Sequence, residues 1–532
     1  MRCGPAQVIH HAILLLAVVL VIAGCRRQPA SRGNALVVAQ ASEPRSLDPH
    51  VATSLNDFRI IENVFEGLVR FTPGSLDIEP SLAKSWTISP DGLTYTFQLR
   101  DGVRFHDGSL FDANAVKFSF ERMLNPTHPS HDTGPFPLSF FFSKIDSIIV
   151  ESPTCVVFRL KEPFAPFLAN LAYPTGSIVS PTALAGDARH GFGRRPSGTG
   201  PYCVVDWEAN NFVRLKPNED WWKGPPPTLA VFFRPITDEN ARIASLLAGE
   251  SDVVLEVPAD LIAHFRTKKG YQVLEESGPH IWFLIFNTRE GVFRDKKIRR
   301  AVNLAINRDA IVRDLLQGTA TAASGPLPTA FDPEFEPSGE SHYNPDESRR
   351  LLGEAGAVGA RLKLLATEGG SGMLDPKTMA MAIQADLAAV GLKVDIETYE
   401  WNTFLKMVNS GLEGKADMAQ MAWMTNDPDT LPYLTLRSES WPERGGFNSG
   451  YYSNPEVDEL IERARREVDE DERTRLYLEM QRLVRGDAPC AYVASWRQNA
   501  VASSRVVGLA LEPSFLFRLD NVTVSDPGEE AP

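Results

Sequence analysis

The chain has 532 residues, 43% hydrophobic and 23% charged, which is enough apolar material for more than one domain-sized core. Its formal net charge of −14 argues against nucleic acid as a partner, because phosphate binding needs clustered Lys and Arg. Five cysteines without metal-ligand spacing give no thiolate metal site.

In chain order, Arg2 is the lone basic residue of a short leader, and an apolar run over residues 12–23 follows. A transmembrane helix needs about 20 apolar residues, so the run reads instead as the apolar part of a secretory signal peptide over 1–24. Ile22-Ala23-Gly24-Cys25 resembles a bacterial lipobox, which implies lipidation of Cys25 and membrane attachment through acyl chains alone. Residues 25–33 are a polar linker. With Cys3 in the leader and Cys25 lipidated, Cys155, Cys203 and Cys490 remain. Buried free thiols are expected, with a Cys203–Cys490 disulfide left open.

Leu36-Val37-Val38-Ala39 reads as a first buried strand. Phe58, Ile61, Phe65 and Leu68 fall at three- and four-residue steps, the mark of one helical face. Residues 93–99 alternate as a strand between the turn signals Asp91-Gly92 and Asp101-Gly102. Asp112 suits the N-cap of a helix ending near Leu124. A helix over 239–248 stops at Gly249, and Val253-Val254-Leu255 is a strand beyond it. Ile298, Ala301, Val302, Ala305 and Ile306 make another apolar face. Asn344-Pro345 and Asn454-Pro455 are helix starts, a capping residue followed by proline in the first turn. The charge run 467–472 reads as a solvated helix face, and the tail from Ser525 as disordered. The order of elements defines an α/β protein of two or more domains, without internal repeats.

No His-Glu-x-x-His, nucleophile elbow, phosphate loop or Cys-x-x-Cys occurs, and the histidines outside the leader are scattered singly. Ser371 lies in a glycine-rich stretch with the wrong spacing for an elbow. The residues therefore indicate no catalytic group, no metal and no cofactor.

A resemblance covers nearly all of the chain beyond the leader. Leu82-Ala83-Lys84-Ser85-Trp86, Ser89-Pro90-Asp91-Gly92-Leu93-Thr94-Tyr95-Thr96-Phe97 and Leu99-Arg100-Asp101-Gly102-Val103-Arg104-Phe105-His106-Asp107-Gly108 resemble the signature of family 5 bacterial extracellular solute-binding proteins. Gly198-Thr199-Gly200-Pro201-Tyr202, Phe286-Asn287-Thr288 and Ser453-Asn454-Pro455-Glu456-Val457-Asp458 agree in the expected order. Most of the signature is turn and core chemistry, with Arg104 and Asp107 as a candidate pair. The resemblance implies a two-lobed periplasmic-binding-protein fold of the class II type, with an extra domain in the first lobe and a hinge between the lobes. Domain I would comprise 34–72, 195–280 and 490–532, domain II 73–194, and domain III, the second lobe, 281–489.

It also implies a ligand site. Dipeptide-binding members place an acid in a Trp-x-x-Asp segment to hold the ligand ammonium. Here the stretch is Trp423-Met424-Thr425-Asn426-Asp427-Pro428-Asp429, with Asn426 in the acid's place. The position of their ligand-carboxylate arginine falls in Gly369-Gly370-Ser371-Gly372. Unpartnered charges are strongly disfavoured in a buried cleft, so free dipeptides should bind weakly. The candidate ligand residues are Thr53, Ser54, Leu55 and Asn56 from one lobe. From the other come Trp401, Trp423, Met424, Thr425 and Asn426, with Asp427 or Asp429 as substitute anchors. The implied function is a monomeric, lipid-anchored receptor outside the cytoplasm, which passes a peptide to the permease and ATPase subunits of an ABC importer. A sugar, an opine-like compound or a metal chelate is the alternative ligand, and a secreted hydrolase the alternative class.

Overall fold

The computed structural model describes residues 34–185, 190–331, 335, 343–370 and 372–525. The leader, Cys25, the linker, Ser371 and the tail beyond Ser525 lie outside the described residues.

The first strand, Ala35–Gln40, is a central strand of a twelve-stranded sheet. It pairs in parallel with Ala230–Pro235 on one side and Val253–Leu255 on the other. Such a strand is covered on both faces, which is why its sequence is continuously apolar rather than alternating. At the other end of the sheet, Arg361–Thr367 runs parallel to both Lys393–Tyr399 and Met418–Met424.

Two segments cross between these halves. The strand Cys490–Ser503 pairs through its first part with His280–Phe286 and through its second with Val253–Leu255 and Tyr271–Ser277. The strands Tyr271–Ser277 and His280–Phe286 are separated only by Gly278 and Pro279. A Cβ on Gly278 would lie 2.4 Å from the Phe515 ring, so glycine is required at this crossing. Ala500 and Ala502 belong to one buried core, Ala491 and Val493 to another, and the same strand therefore ties two lobes together.

The four-stranded antiparallel sheet Ala83–Ile88, Thr94–Leu99, Cys155–Leu160 and Ile145–Ser152 stands beside the first lobe. Phe97, Phe120, Phe142, Phe158 and Phe167 pack edge to face in its core, which is continuous with that of the first lobe. In the second lobe, separate apolar clusters include Leu364 and Leu365, neighbours on one strand whose side chains point to opposite faces.

Several helix starts follow the local chemistry. Asp112, Asn344 and Asn454 each accept backbone N–H groups of the helices Ala113–Leu124, Pro345–Glu354 and Pro455–Arg466. Gly249, with φ +69°, follows Glu239–Leu247 in the left-handed conformation that favours glycine.

Some local expectations change. The helix carrying Phe58 and Ile61 is Leu55–Val64 and ends before Phe65 and Leu68. Both are nevertheless buried, because the chain turns there into the strand Val69–Phe71 on the same side. Arg104 donates to the Gly108 carbonyl at 2.8 Å rather than pairing with Asp107, whose carboxylate accepts from Ser109 and Ser180. The 467–472 run is a helix junction, with Asp469 capping Glu470–Asp487, and not one helical face. Cys155, Cys203 and Cys490 are all free thiols.

Candidate ligand cleft

The lobes face each other across a cleft with two compartments. The inner one has a volume of about 340 Å³ and the outer one about 1030 Å³; Leu55, Gly372 and Met424 border both.

The loop before Leu55–Val64 supplies one wall. Ser54 caps this helix, its hydroxyl accepting from the Asn56 N–H at 3.2 Å. Capping fixes the loop, so Thr53 and Leu55 reach the inner chamber while Ser54, Leu55 and Asn56 border the outer one. Phe58, one turn on, adds an aromatic ring to the chamber.

The opposite wall is the strand Met418–Met424, held in register against His280–Phe286 with Ile281 opposite Trp423. Trp423 meets Phe447 edge to face at 5.4 Å. Trp401 opens the helix Trp401–Asn409, capped by Glu400, and stacks on Phe404 at 5.9 Å. Trp401, Trp423, Met424, Thr425 and Asn426 all line the inner chamber.

Asp427 and Asp429 do not line either compartment. Asp427 is held by both guanidinium nitrogens of Arg473, and Asp429 by Arg465 at 2.8 Å. Burial pushes the Asp429 carboxyl up to about 6, against the pull of Arg465. These acids hold the second lobe together and are not available as substitute anchors.

Asn426 is also engaged. Its Nδ2 donates to Asn170 Oδ1 at 2.7 Å, and its Oδ1 accepts from Thr430 at 3.2 Å. Thr425 differs: its hydroxyl is buried and has no hydrogen-bond partner among the described residues.

Sequence reasoning missed the contributions of Leu138, Phe140, Phe141, Tyr173, His280 and Phe515. The run Phe140-Phe141-Phe142 was the available signal, since Phe140 remains 48% exposed. His280 gives none: it is neutral, burial pushing its pKa down to about 4, and it bonds Gly372 O and the Trp496 N–H across the hinge.

Two lobes joined by crossing strands around an aromatic cleft define a periplasmic-binding-protein fold. Comparison with known proteins makes the assignment specific. Residues 77–442 match the family model "Bacterial extracellular solute-binding proteins, family 5 Middle", and the chain belongs to that family. It is 32% identical over 529 residues to di/tripeptide-binding protein 2 of Pseudomonas aeruginosa, covering 96% of this chain and 97% of that one. It is 31% identical to heme-binding protein A of Haemophilus influenzae, covering 94% and 96%. The solved structure of HbpA2 from Haemophilus parasuis superposes with a TM-score of 0.83 at 28% identity, covering 92% of this chain and all of that one. The chain is thus a solute-binding protein of the type that serves ABC importers.

Proposed function

We propose that this protein captures a peptide or peptide-like solute between its lobes and delivers it to the membrane permease of an ABC importer, attached to the membrane through lipidated Cys25. The observation that carries the reading is the inner chamber. Thr53, Leu55 and Phe58 from one lobe and Trp401, Trp423 and Thr425 from the other converge on a single apolar volume. Clefts of this kind hold small ligands through apolar walls and a few placed polar groups. Similarity to a di/tripeptide-binding protein supports a peptide as the solute.

The chamber carries no Asp, Glu, Lys or Arg among its described lining residues. A zwitterionic dipeptide would therefore bury both of its charges unpaired. Longer or end-blocked peptides, with main-chain hydrogen bonds and apolar side chains against the tryptophans, suit the site better. The test is mass spectrometry of ligand co-purifying with the protein, followed by calorimetric titration with di-, tri- and pentapeptides, free and end-blocked. Peptide in the extract and binding by the longer or blocked forms support the reading. Absence of peptide from the extract and of binding by every peptide contradicts it, while tight binding of free dipeptides that is lost on blocking the amino end contradicts the preference for longer or blocked forms.

A further inference from the structure

The inner chamber has aromatic rings on both sides of the cleft. On the first-lobe side Tyr173 meets two of them edge to face, Phe58 at 5.2 Å and Phe141 at 6.1 Å. Phe140 packs on Phe141 at 4.6 Å and lines the chamber, yet 48% of its surface stays open. On the second-lobe side Trp423 meets Phe447 edge to face at 5.4 Å, and Trp401 lines the same chamber. A planar ring placed among them would continue the edge-to-face order, which an aliphatic group cannot, and would cover the open surface of Phe140. The volume of about 340 Å³ lies at the lower end of the range for ligand sites, about 300–1000 Å³, so the chamber takes one bulky group of a solute and not a whole peptide.

The chamber also offers hydrogen-bond donors. Elsewhere in the molecule the hydroxyls of Tyr202 and Tyr452 are engaged, by the Leu519 carbonyl at 3.2 Å and by Asp487 at 2.7 Å. The Tyr173 hydroxyl has no partner among the described residues, and it keeps accessible surface. The indole N–H groups of Trp401 and Trp423 are in the same state. Burial alone pushes the Tyr173 phenol above its ordinary value, so the group stays a protonated donor at physiological pH. No Asp, Glu, Lys or Arg stands among the described lining residues. Donors without a counter-charge suit a neutral acceptor such as an amide carbonyl, because an unpaired charge is strongly disfavoured there.

We infer that the inner chamber selects a neutral aromatic group with a hydrogen-bond acceptor beside it, in a peptide an aromatic side chain and its flanking carbonyl, and that Phe140, Phe141 and Tyr173 set this preference. The inference rests on the receptor reading and adds the chemical class of the group that fills the chamber.

The experiment uses the N-acetyl tripeptide amides Ala-Phe-Ala, Ala-cyclohexylalanine-Ala and Ala-Ser-Ala, titrated by calorimetry and by protein tryptophan fluorescence. The Phe peptide should bind roughly three- to tenfold more tightly than the cyclohexylalanine peptide, and the Ser peptide most weakly. If apolar area alone decided, the larger hydrocarbon of cyclohexylalanine would bind at least as well as Phe. Phe140→Leu combined with Phe141→Leu should bring the Phe and cyclohexylalanine peptides to within about twofold of each other. Tyr173→Phe, which keeps the ring and removes the hydroxyl, should weaken both alike by roughly three- to tenfold. Cyclohexylalanine bound by wild type as tightly as Phe overturns the inference and leaves the receptor reading intact. An unchanged preference in the double leucine variant, or unchanged affinities in Tyr173→Phe, overturns the role given to those residues. If no peptide binds, N-benzylacetamide and N-(cyclohexylmethyl)acetamide are compared in the same assay. Binding of the benzyl compound alone then upholds the inference and removes the peptide reading; equal binding, or none, overturns the inference.

Discussion

The side-chain amide of Asn426 donates a 2.7 Å hydrogen bond to Asn170 on the facing wall of the cleft. Asn170 in turn donates to the Phe141 carbonyl at 3.0 Å, so its oxygen is fixed toward Asn426. Nearby, the Ala165 N–H donates to the Arg465 carbonyl at 2.9 Å, Arg466 lies 3.5 Å from Glu162, and the Arg465 guanidinium lies over Phe164. Asparagine at 426 thus serves a seam between the lobes, which an aspartate there would disturb by setting oxygen against oxygen.

The seam predicts a coupling. Asn170→Ala and Asn426→Ala should each weaken peptide binding by about 1 kcal/mol, about fivefold, because the hydrogen bond across the seam is lost. The double variant should resemble either single one, with a coupling of about 1 kcal/mol in a double-mutant cycle. Calorimetry on the four proteins decides this; fully additive losses would show that the two residues act separately.

Gly370 leads to a second prediction. At φ +150° its position for a Cβ lies 2.4 Å from the Trp401 ring, so Gly370→Ala must displace the tryptophan or the loop. An affinity loss of about tenfold is expected, with Trp401 emission shifted before ligand is added. An alanine variant that binds as well as wild type would mean that Trp401 contributes little to binding.

Much of the fold was legible because its signals are local. The caps at Asp112, Asn344 and Asn454 and the apolar strand 36–39 depend on neighbours within a few residues. The site was legible only in part. Trp401 and Trp423 stand at the cleft as their pattern implied, and the 53–56 loop faces them. Asp427 and Asp429 could not be placed from sequence, because their partners Arg473 and Arg465 lie 46 and 36 residues away. The aromatic wall was hidden only in part: the run Phe140-Phe141-Phe142 was a signal, but nothing local separates a core aromatic such as Tyr173 from one at a cleft.

Attachment is tested through Cys25. On the proposed anchoring the Cys25 thiol carries the lipid, so Cys25→Ala should remove lipid label and leave the precursor unprocessed, or release the protein from membranes. Membrane fractionation with retained lipid label in the variant would show that another feature anchors the chain.

The last prediction concerns acid and the hinge. His280 bridges the two crossing strands: Nδ1 accepts from the Trp496 N–H at 3.0 Å, and Nε2 meets the Gly372 carbonyl at 2.9 Å. Both bonds form together only in the neutral ring, and burial lowers the pKa from 6.5 to about 4. A depressed histidine pKa means that the unfolded chain binds the proton more readily than the folded one. The contribution of His280 to stability is therefore complete above pH 6.5 and is lost as pH falls toward 4. At pH 5 the loss is about 2 kcal/mol. His50 and His106 are shifted the same way, while the raised Asp57, Glu62 and Asp429 act in the opposite sense, so the total profile is not diagnostic of one group. The difference between wild type and His280→Gln isolates it, because glutamine supplies a donor and an acceptor but does not titrate. Urea unfolding between pH 7.5 and 5 should show wild type losing about 2 kcal/mol relative to the variant. Parallel curves for the two proteins would mean that His280 does not titrate differently on folding. Ligand affinity should stay level over the same range in both proteins, since the folded ring keeps its bonds to Trp496 and Gly372 until the pH approaches 4.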